Sequence, residues 1–334
     1  MKLDIYNHVF PVDFFRRMEE VMTDKGPIKR WLNIPMLYDI DARLKIMERF
    51  GEYAQILSLS MPPIEYIAGP DLSPELARLA NDGMAKLCKQ HPDRFPGFIA
   101  SLPLNNMKAT MAEIDRACKE LNACGIQIFS NVNGKALDEP EFYPLFERMA
   151  QLDKPIWLHP ARSANFPDYA TEKKSIYEIW WTIGWPYETS AAMMRIVFSG
   201  IFDKLPKIKI ICHHMGAMIP FFEGRFGYGQ DQFGSRTANA GYEEMLAKMK
   251  MRPLEYFRLF YADTALFGSA SGTRCGLDFF GVERSMFASD CPFDPEGGPL
   301  YIRETIKVLD GLDVSKADRE KLYLGTAKKV LGLK

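Results

Sequence analysis

Eight short, apolar, β-rich runs recur along this chain, and stretches of helical periodicity separate most of them. The runs cover residues 2–8, 54–60, 97–103, 125–130, 155–159, 207–213, 257–263 and 285–290. The amphipathic stretches between them include 42–50, 74–90, 108–121, 141–152, 190–202 and 300–309. Such alternation specifies parallel strands joined by right-handed helical crossovers. Eight strands with helices between them fit a closed α/β structure, a (β/α)8 TIM barrel, better than an open sheet. No linker, low-complexity tract or internal repeat interrupts the pattern, so residues 1–334 are expected to form a single domain.

Two connections are too long to be turns: residues 9–39 after the first strand and 160–189 after the fifth. Both leave the C-terminal rim, where barrel enzymes build their sites, and long loops in compact domains tend to be functional. The second loop carries Tyr177, Trp180, Trp181, Trp185 and Tyr187. It reads equally as an anchor that pins the loop to the barrel or a neighbouring subunit, and as a wall against an apolar substrate. In the second case Trp181 and Trp185 are the expected contacts.

The chain has five histidines, and four of them close predicted strands. His8 ends Leu3-Asp4-Ile5-Tyr6-Asn7-His8, His159 ends Pro155-Ile156-Trp157-Leu158-His159, and His213 and His214 follow Ile208 to Cys212. A fifth run, from Met286, ends in Asp290. Any one of these reads as well as a hydrogen-bonded core or turn residue. Together they are the three or four nitrogen and oxygen donors that a divalent metal needs, gathered by barrel closure. Alternation along the first strand puts Asp4, Tyr6 and His8 on one face. The same alternation makes His213 and His214 diverge, so His213 is expected to pack outside the site unless a second metal recruits it. Asp263, ending the seventh strand, is expected to orient a ligand histidine. Arg162 is a candidate fork for a substrate carboxylate.

Composition narrows the partners. The formal net charge of −1 provides no basic field for nucleic acid or anionic lipid. No stretch reaches the 18 or so apolar residues of a membrane span. One lysine and then Asp4 follow the initial methionine, without the apolar segment of a signal peptide, and the six cysteines have no CxxC pairing. The expectation is a cytoplasmic protein with reduced thiols and a small-molecule substrate. A homo-oligomer, most simply a dimer, is expected, with a hetero-oligomer as the alternative.

Four segments in combination give the chain a resemblance to the amidohydrolase superfamily, specifically the group of aminocarboxymuconate-semialdehyde and γ-resorcylate decarboxylases. They are Asp4-Ile5-Tyr6-Asn7-His8, Trp157-Leu158-His159-Pro160, His214-Met215-Gly216-Ala217 with Pro220 and Gly224-Arg225, and Ala288-Ser289-Asp290-Cys291-Pro292-Phe293. The resemblance spans nearly the whole chain. It implies metal ligation by His8, His159 and Asp290, and a catalytic or substrate-polarising role for His214, with Asp290 also moving protons. The implied cofactor is a divalent ion, zinc or manganese, with iron as a further option. The implied activity is that of a carboxy-lyase or hydrolase on a small carboxylate-bearing, cyclic or aromatic substrate.

Tyr6 departs from the family pattern, in which His-x-His stands here. As a ligand it would have to bind as a phenolate, against an ordinary pKa near ~10; otherwise it fills space beneath the site. With the His213-His214 pair, it keeps open a non-haem iron or manganese oxygenase on the same fold. An inert partner subunit that has lost a ligand is a third possibility.

Overall fold

The computed structural model describes residues 1–238 and 241–333. Its main sheet contains eight strands: β1 (Lys2–Val9), β2 (Tyr53–Leu59), β3 (Gly97–Ala100), β4 (Gly125–Phe129), β5 (Ile156–His159), β6 (Ile210–Cys212), β7 (Tyr261–Asp263) and β8 (Ser285–Met286). They pair in chain order, each parallel to the next. The first and last meet through backbone bonds from Ile5 to the Phe287 carbonyl (3.0 Å), from Asp290 to the Tyr6 carbonyl (3.1 Å) and from His8 to the Cys291 carbonyl (2.9 Å). These bonds close the (β/α)8 barrel that the sequence pattern specifies.

The strands are shorter than their apolar runs, because several runs include a helix end or a turn. Residues Pro253–Phe257 are helical, so β7 starts only at Tyr261, and β8 stops at Met286, four residues before Asp290. The connection after β1 contains a helix at Val12–Val21 and several short 3₁₀ turns, and the one after β5 a short helix at Ile179–Thr182. Ser73 is the first residue of the helix Ser73–Gln90 and gives its hydroxyl to Asn105 Oδ1 (2.6 Å).

The core has two layers. Inside the barrel, Leu3, Ile5, Tyr6, Ile56, Ile99, Trp157, Ile211 and Met286 form one cluster, plugged from below by Ala327, Val330 and Leu331 of the helix Thr326–Leu331. The β1–β2 pairing slips between Asp4 and Asn7, which is how Ile5 and Tyr6, neighbours in sequence, both belong to this cluster. A larger shell packs between the strands and the surrounding helices.

One buried group outside the barrel centre makes stability pH-dependent. Glu65 lies in the short helix Ile64–Ile67 after β2, and neither of its carboxylate oxygens has a hydrogen-bond partner. Burial pushes its pKa from 4.5 up to about 8. The folded state therefore keeps this proton to a higher pH than the unfolded chain does. The associated stability is complete below about 4.5 and is lost as the pH rises through about 8. Glu65→Gln should flatten that slope and exceed wild-type stability at pH 9 by on the order of 3 kcal/mol. Denaturant titrations at pH 5 and pH 9 check this; equal slopes in the two proteins would refute it.

Candidate metal centre

The strand β6 ends at Cys212, and the chain then enters an unusual turn. His214, Met215, Gly216 and Ala217 all have positive φ, at 53°, 53°, 73° and 55°. Three of these residues carry a Cβ, so the turn is strained, at a cost of roughly 1–3 kcal/mol each. Asp263 holds it in place: one carboxylate oxygen accepts the backbone N–H of His214 (3.1 Å) and the other meets His213 Nδ1 at 2.6 Å. Because the strand has ended, alternation no longer separates the two histidines. His213 does not pack outside, as strict alternation predicts; it lies within the cluster, 5.2 Å from His159 between ring centroids, and Asp263 meets it directly.

Asp290 is reached by a similar device. It follows β8 with φ 59°, a conformation that aspartate tolerates better than most residues. Its Oδ1 lies 2.9 Å from His8 Nε2 and 3.5 Å from His213 Nε2, while its Oδ2 lies 3.6 Å from His214 Nε2. One carboxylate thus faces three imidazoles from β1 and the β6 turn. The second nitrogen of each inner histidine is anchored: His8 Nδ1 at the Leu59 carbonyl (3.2 Å), His159 Nδ1 at the Pro160 carbonyl (2.6 Å) and His213 Nδ1 at Asp263. Fixing Nδ1 in this way turns the other nitrogen of the ring inward.

Donor atoms of His8, His159 and His213 lie within 4.8 Å of one another, as do those of His213, His214 and Asp290. His213 Nε2 and His214 Nδ1 are buried without a hydrogen-bond partner. Convergent imidazoles, an ionised carboxylate and orphaned inward nitrogens fit a divalent cation. The electrostatics agree. Although burial opposes its ionisation, His213, His214 and His8 hold the Asp290 carboxyl well below the usual range. Burial and the neighbouring His213 and His8 push His159 well below 6.5. Burial, then His213, lowers His214 as well. A deprotonated carboxylate and neutral imidazoles are the forms that bind metal. Burial alone would lower His213 too, but Asp263 and Asp290 outweigh it and raise it to about 9. A site that holds a proton so firmly between two carboxylates favours positive charge at that point.

Two candidate residues have other partners in the structure. Tyr6 lies beneath the cluster, its ring 4.5 Å from His213, and its hydroxyl donates to Gln127 Oε1 at 2.9 Å. Burial, then Asp263 and Asp290, push its pKa well above 10, which favours the neutral phenol seen in that bond. Tyr6→Phe should leave metal affinity unchanged and cost about 1–2 kcal/mol for the lost bond and the stranded Gln127. A metal titration in which the variant binds more weakly would contradict this. The Arg162 guanidinium meets Glu188 at 3.2 Å and the Pro167 carbonyl at 3.4 Å, while its Nε is buried without a partner.

Around the cluster stands a collar of aromatic rings: Phe129 ends β4, and Trp185, Phe267 and Phe293 lie in the segments that follow β5, β7 and β8. Phe129 and Trp185 lie 5.3 and 5.4 Å from His159, Phe293 lies 5.3 Å from His8, and Phe267 lies 5.6 Å from His214. Trp185 is tied down by its indole N–H on the Arg162 carbonyl (3.1 Å). Trp181 stands further out, stacked on Phe267 at 6.4 Å. Tyr177 and Tyr187 are exposed and do not join the collar.

The three phenylalanines were not singled out by sequence, although Phe129 and Phe293 share the signal that identified the histidines, a place at or just past a strand end. Arg43 gave no signal at all. It is fully buried under His8, donating to the His8 carbonyl (2.7 Å), the Met36 carbonyl (3.0 Å), Gln55 Oε1 (2.8 Å) and Asn7 Oδ1 (2.6 Å).

Comparison with known proteins agrees with this geometry. The family model described as amidohydrolase matches residues 39–333. The chain is 31% identical over 299 residues to 2-amino-3-carboxymuconate-6-semialdehyde decarboxylase of Dictyostelium discoideum, covering 89% of this chain and 77% of that one. It is 30% identical over 337 residues to gamma-resorcylate decarboxylase of a Polaromonas species, covering 96% and 97%. A solved dihydroxybenzoic acid decarboxylase from Polaromonas, with bound manganese and the inhibitor 2-nitroresorcinol, superposes with a TM-score of 0.80 at 27% identity, over 99% of this chain and 97% of that one.

Proposed function

The chain belongs to the amidohydrolase family, and from that membership and the architecture of its site we propose that it is a single-domain, metal-dependent decarboxylase of a small aromatic carboxylate. The observation that carries this reading is the aromatic collar over a buried histidine–carboxylate cluster. A planar ring fits between such walls, with its polar substituents directed at the donors below. Hydroxybenzoates are the favoured substrates, because the relatives with the same overall fold act on them by name.

His8, His159 and Asp290 would hold a divalent ion, with manganese or zinc favoured. When bound, that ion supplies Lewis-acid attraction for the substrate's oxygens. The chain's own residues do the rest. Phe129, Trp185, Phe267 and Phe293 orient the ring and keep water from it. Asp290, ionised at rest, accepts a proton from an incoming hydroxyl group and returns it to the ring carbon. The carbon–carbon bond to the carboxylate breaks, carbon dioxide leaves, and the electron pair left on carbon takes the returned proton. His214, neutral and 3.6 Å from Asp290 Oδ2, hydrogen-bonds the substrate oxygen or the protonated carboxyl during this exchange. Turnover in deuterium oxide tests the step: deuterium should appear at the vacated ring position, and product without deuterium there argues against proton return to carbon.

A second reading, oxidation on an iron or manganese centre, is favoured by one observation. Four histidines and Asp290 give more donors than a three-ligand centre uses. Dependence of turnover on dioxygen would select it. A homodimer is favoured by the exposed Phe166, Tyr169, Tyr177 and Tyr187 of the loop after β5; light scattering that gives a monomer mass would count against it.

A further inference from the structure

We propose that His213 is itself a metal ligand, supplying beside His8, His159 and Asp290 the position that Tyr6 leaves open, and that Asp263 is the residue that positions it. This rests on the reading of the site as a metal centre and specifies its ligand set.

His213 is fully buried, and its Nδ1 is held by the equally buried Asp263 at 2.6 Å. With Nδ1 committed to that carboxylate, Nε2 is the nitrogen left to bind a cation in place of a proton. That nitrogen is buried and has no hydrogen-bond partner. It stands 3.5 Å from Asp290 Oδ1, beside the oxygen that His8 also meets, and falls within 4.8 Å of the donor atoms of His8 and His159. An interior ring nitrogen without a partner is costly unless something absent from the protein chain satisfies it. A carboxylate–histidine pair whose free nitrogen points at two other imidazoles and a second carboxylate is the arrangement by which outer residues orient metal ligands.

The first strand supplies the complementary observation. With the Tyr6 hydroxyl given to Gln127, β1 contributes His8 alone to the centre. His213, its ring 4.5 Å from that of Tyr6, brings the missing nitrogen from the end of β6 instead. The strained turn is consistent with this exchange, because it places His213 and His214 on the same side of the barrel. His214 differs in one respect: its Nδ1 has no hydrogen-bond partner, whereas His8, His159 and His213 are each anchored through Nδ1, and it is left for substrate.

The test counts nitrogens, not turnover. In Mn²⁺-loaded wild-type protein, pulsed electron paramagnetic resonance should resolve coupling to three histidine nitrogens. His213→Gln should reduce the count to two and weaken Mn²⁺ binding at least about tenfold. Asp263→Asn, which keeps an acceptor for Nδ1 but drops the charge, should weaken binding by roughly 10-fold or more. Two coupled nitrogens in the wild-type protein overturn the assignment whatever the variants do. So does a folded His213→Gln protein that keeps three. Failure of the wild-type protein to bind Mn²⁺, Zn²⁺ or Co²⁺ at all would overturn the metal-centre reading as well, and is thereby distinct.

Discussion

Asp290→Asn should lower turnover by about 10²–10⁴-fold while leaving a folded barrel, because this carboxylate serves both proton transfer and the cation. It faces His8, His213 and His214 at 2.9, 3.5 and 3.6 Å. Asparagine preserves the volume and one acceptor oxygen but carries no charge to hold a cation and cannot take up a proton. Metal content should fall with activity. His159→Ala should do the same by removing a neutral imidazole whose ring is fixed at the Pro160 carbonyl. Circular dichroism separates loss of function from loss of fold. Full metal content and full turnover in both variants would mean that the chemistry lies elsewhere.

Arg43→Met carries the largest expected stability effect, about 3–5 kcal/mol. The guanidinium reaches four acceptors, two of them main-chain carbonyls, from the helix Ile40–Met47. Methionine keeps most of the apolar stem but strands Asn7, Gln55 and the His8 carbonyl in the interior. Gln55 in turn donates to the Tyr53 hydroxyl (2.8 Å), which donates to Asp4 (2.6 Å), and Asp4 accepts the Ser289 backbone N–H (3.2 Å). This chain of bonds runs from β2 through β1 to the segment that carries Asp290. Loss of Arg43 should therefore loosen the seam where the barrel closes and reduce metal affinity along with stability. Arg43→Lys should recover only part of either, since one ammonium cannot fork to four acceptors. A melting temperature within a degree or two of wild type for Arg43→Met would show that the network is dispensable.

The barrel and the strand-end positions of the cluster were legible in the sequence because both depend on short-range signals. Strand–helix alternation gives the fold, and barrel closure brings strand ends together whatever fills the helices. His8, His159, His214 and Asp290 all lie where that rule puts them. The errors came from places where the backbone leaves its regular period. His213 was set outside because alternation was extended past Cys212, where the positive-φ turn begins. Strict alternation puts Asp4, Tyr6 and His8 on one face; with the slip in the β1–β2 register Asp4 instead meets Tyr53 and Ser289, while the Tyr6 and His8 rings stay 5.2 Å apart. The commitments of Tyr6 to Gln127 and of Arg162 to Glu188 join residues 121 and 26 positions apart. Arg43 was invisible for a related reason: on a helix it looks like any solvated arginine, and its burial depends on a loop that packs over it.

The most direct measurement of the central claim is carbon dioxide released per phenol formed, in anaerobic buffer, from a panel of hydroxybenzoates offered to the metal-loaded protein. The account predicts one equivalent of carbon dioxide for each phenol, abolition by a chelator and recovery on adding manganese. Turnover that appears only when dioxygen is admitted, or phenol formation that persists in metal-free protein, would contradict it.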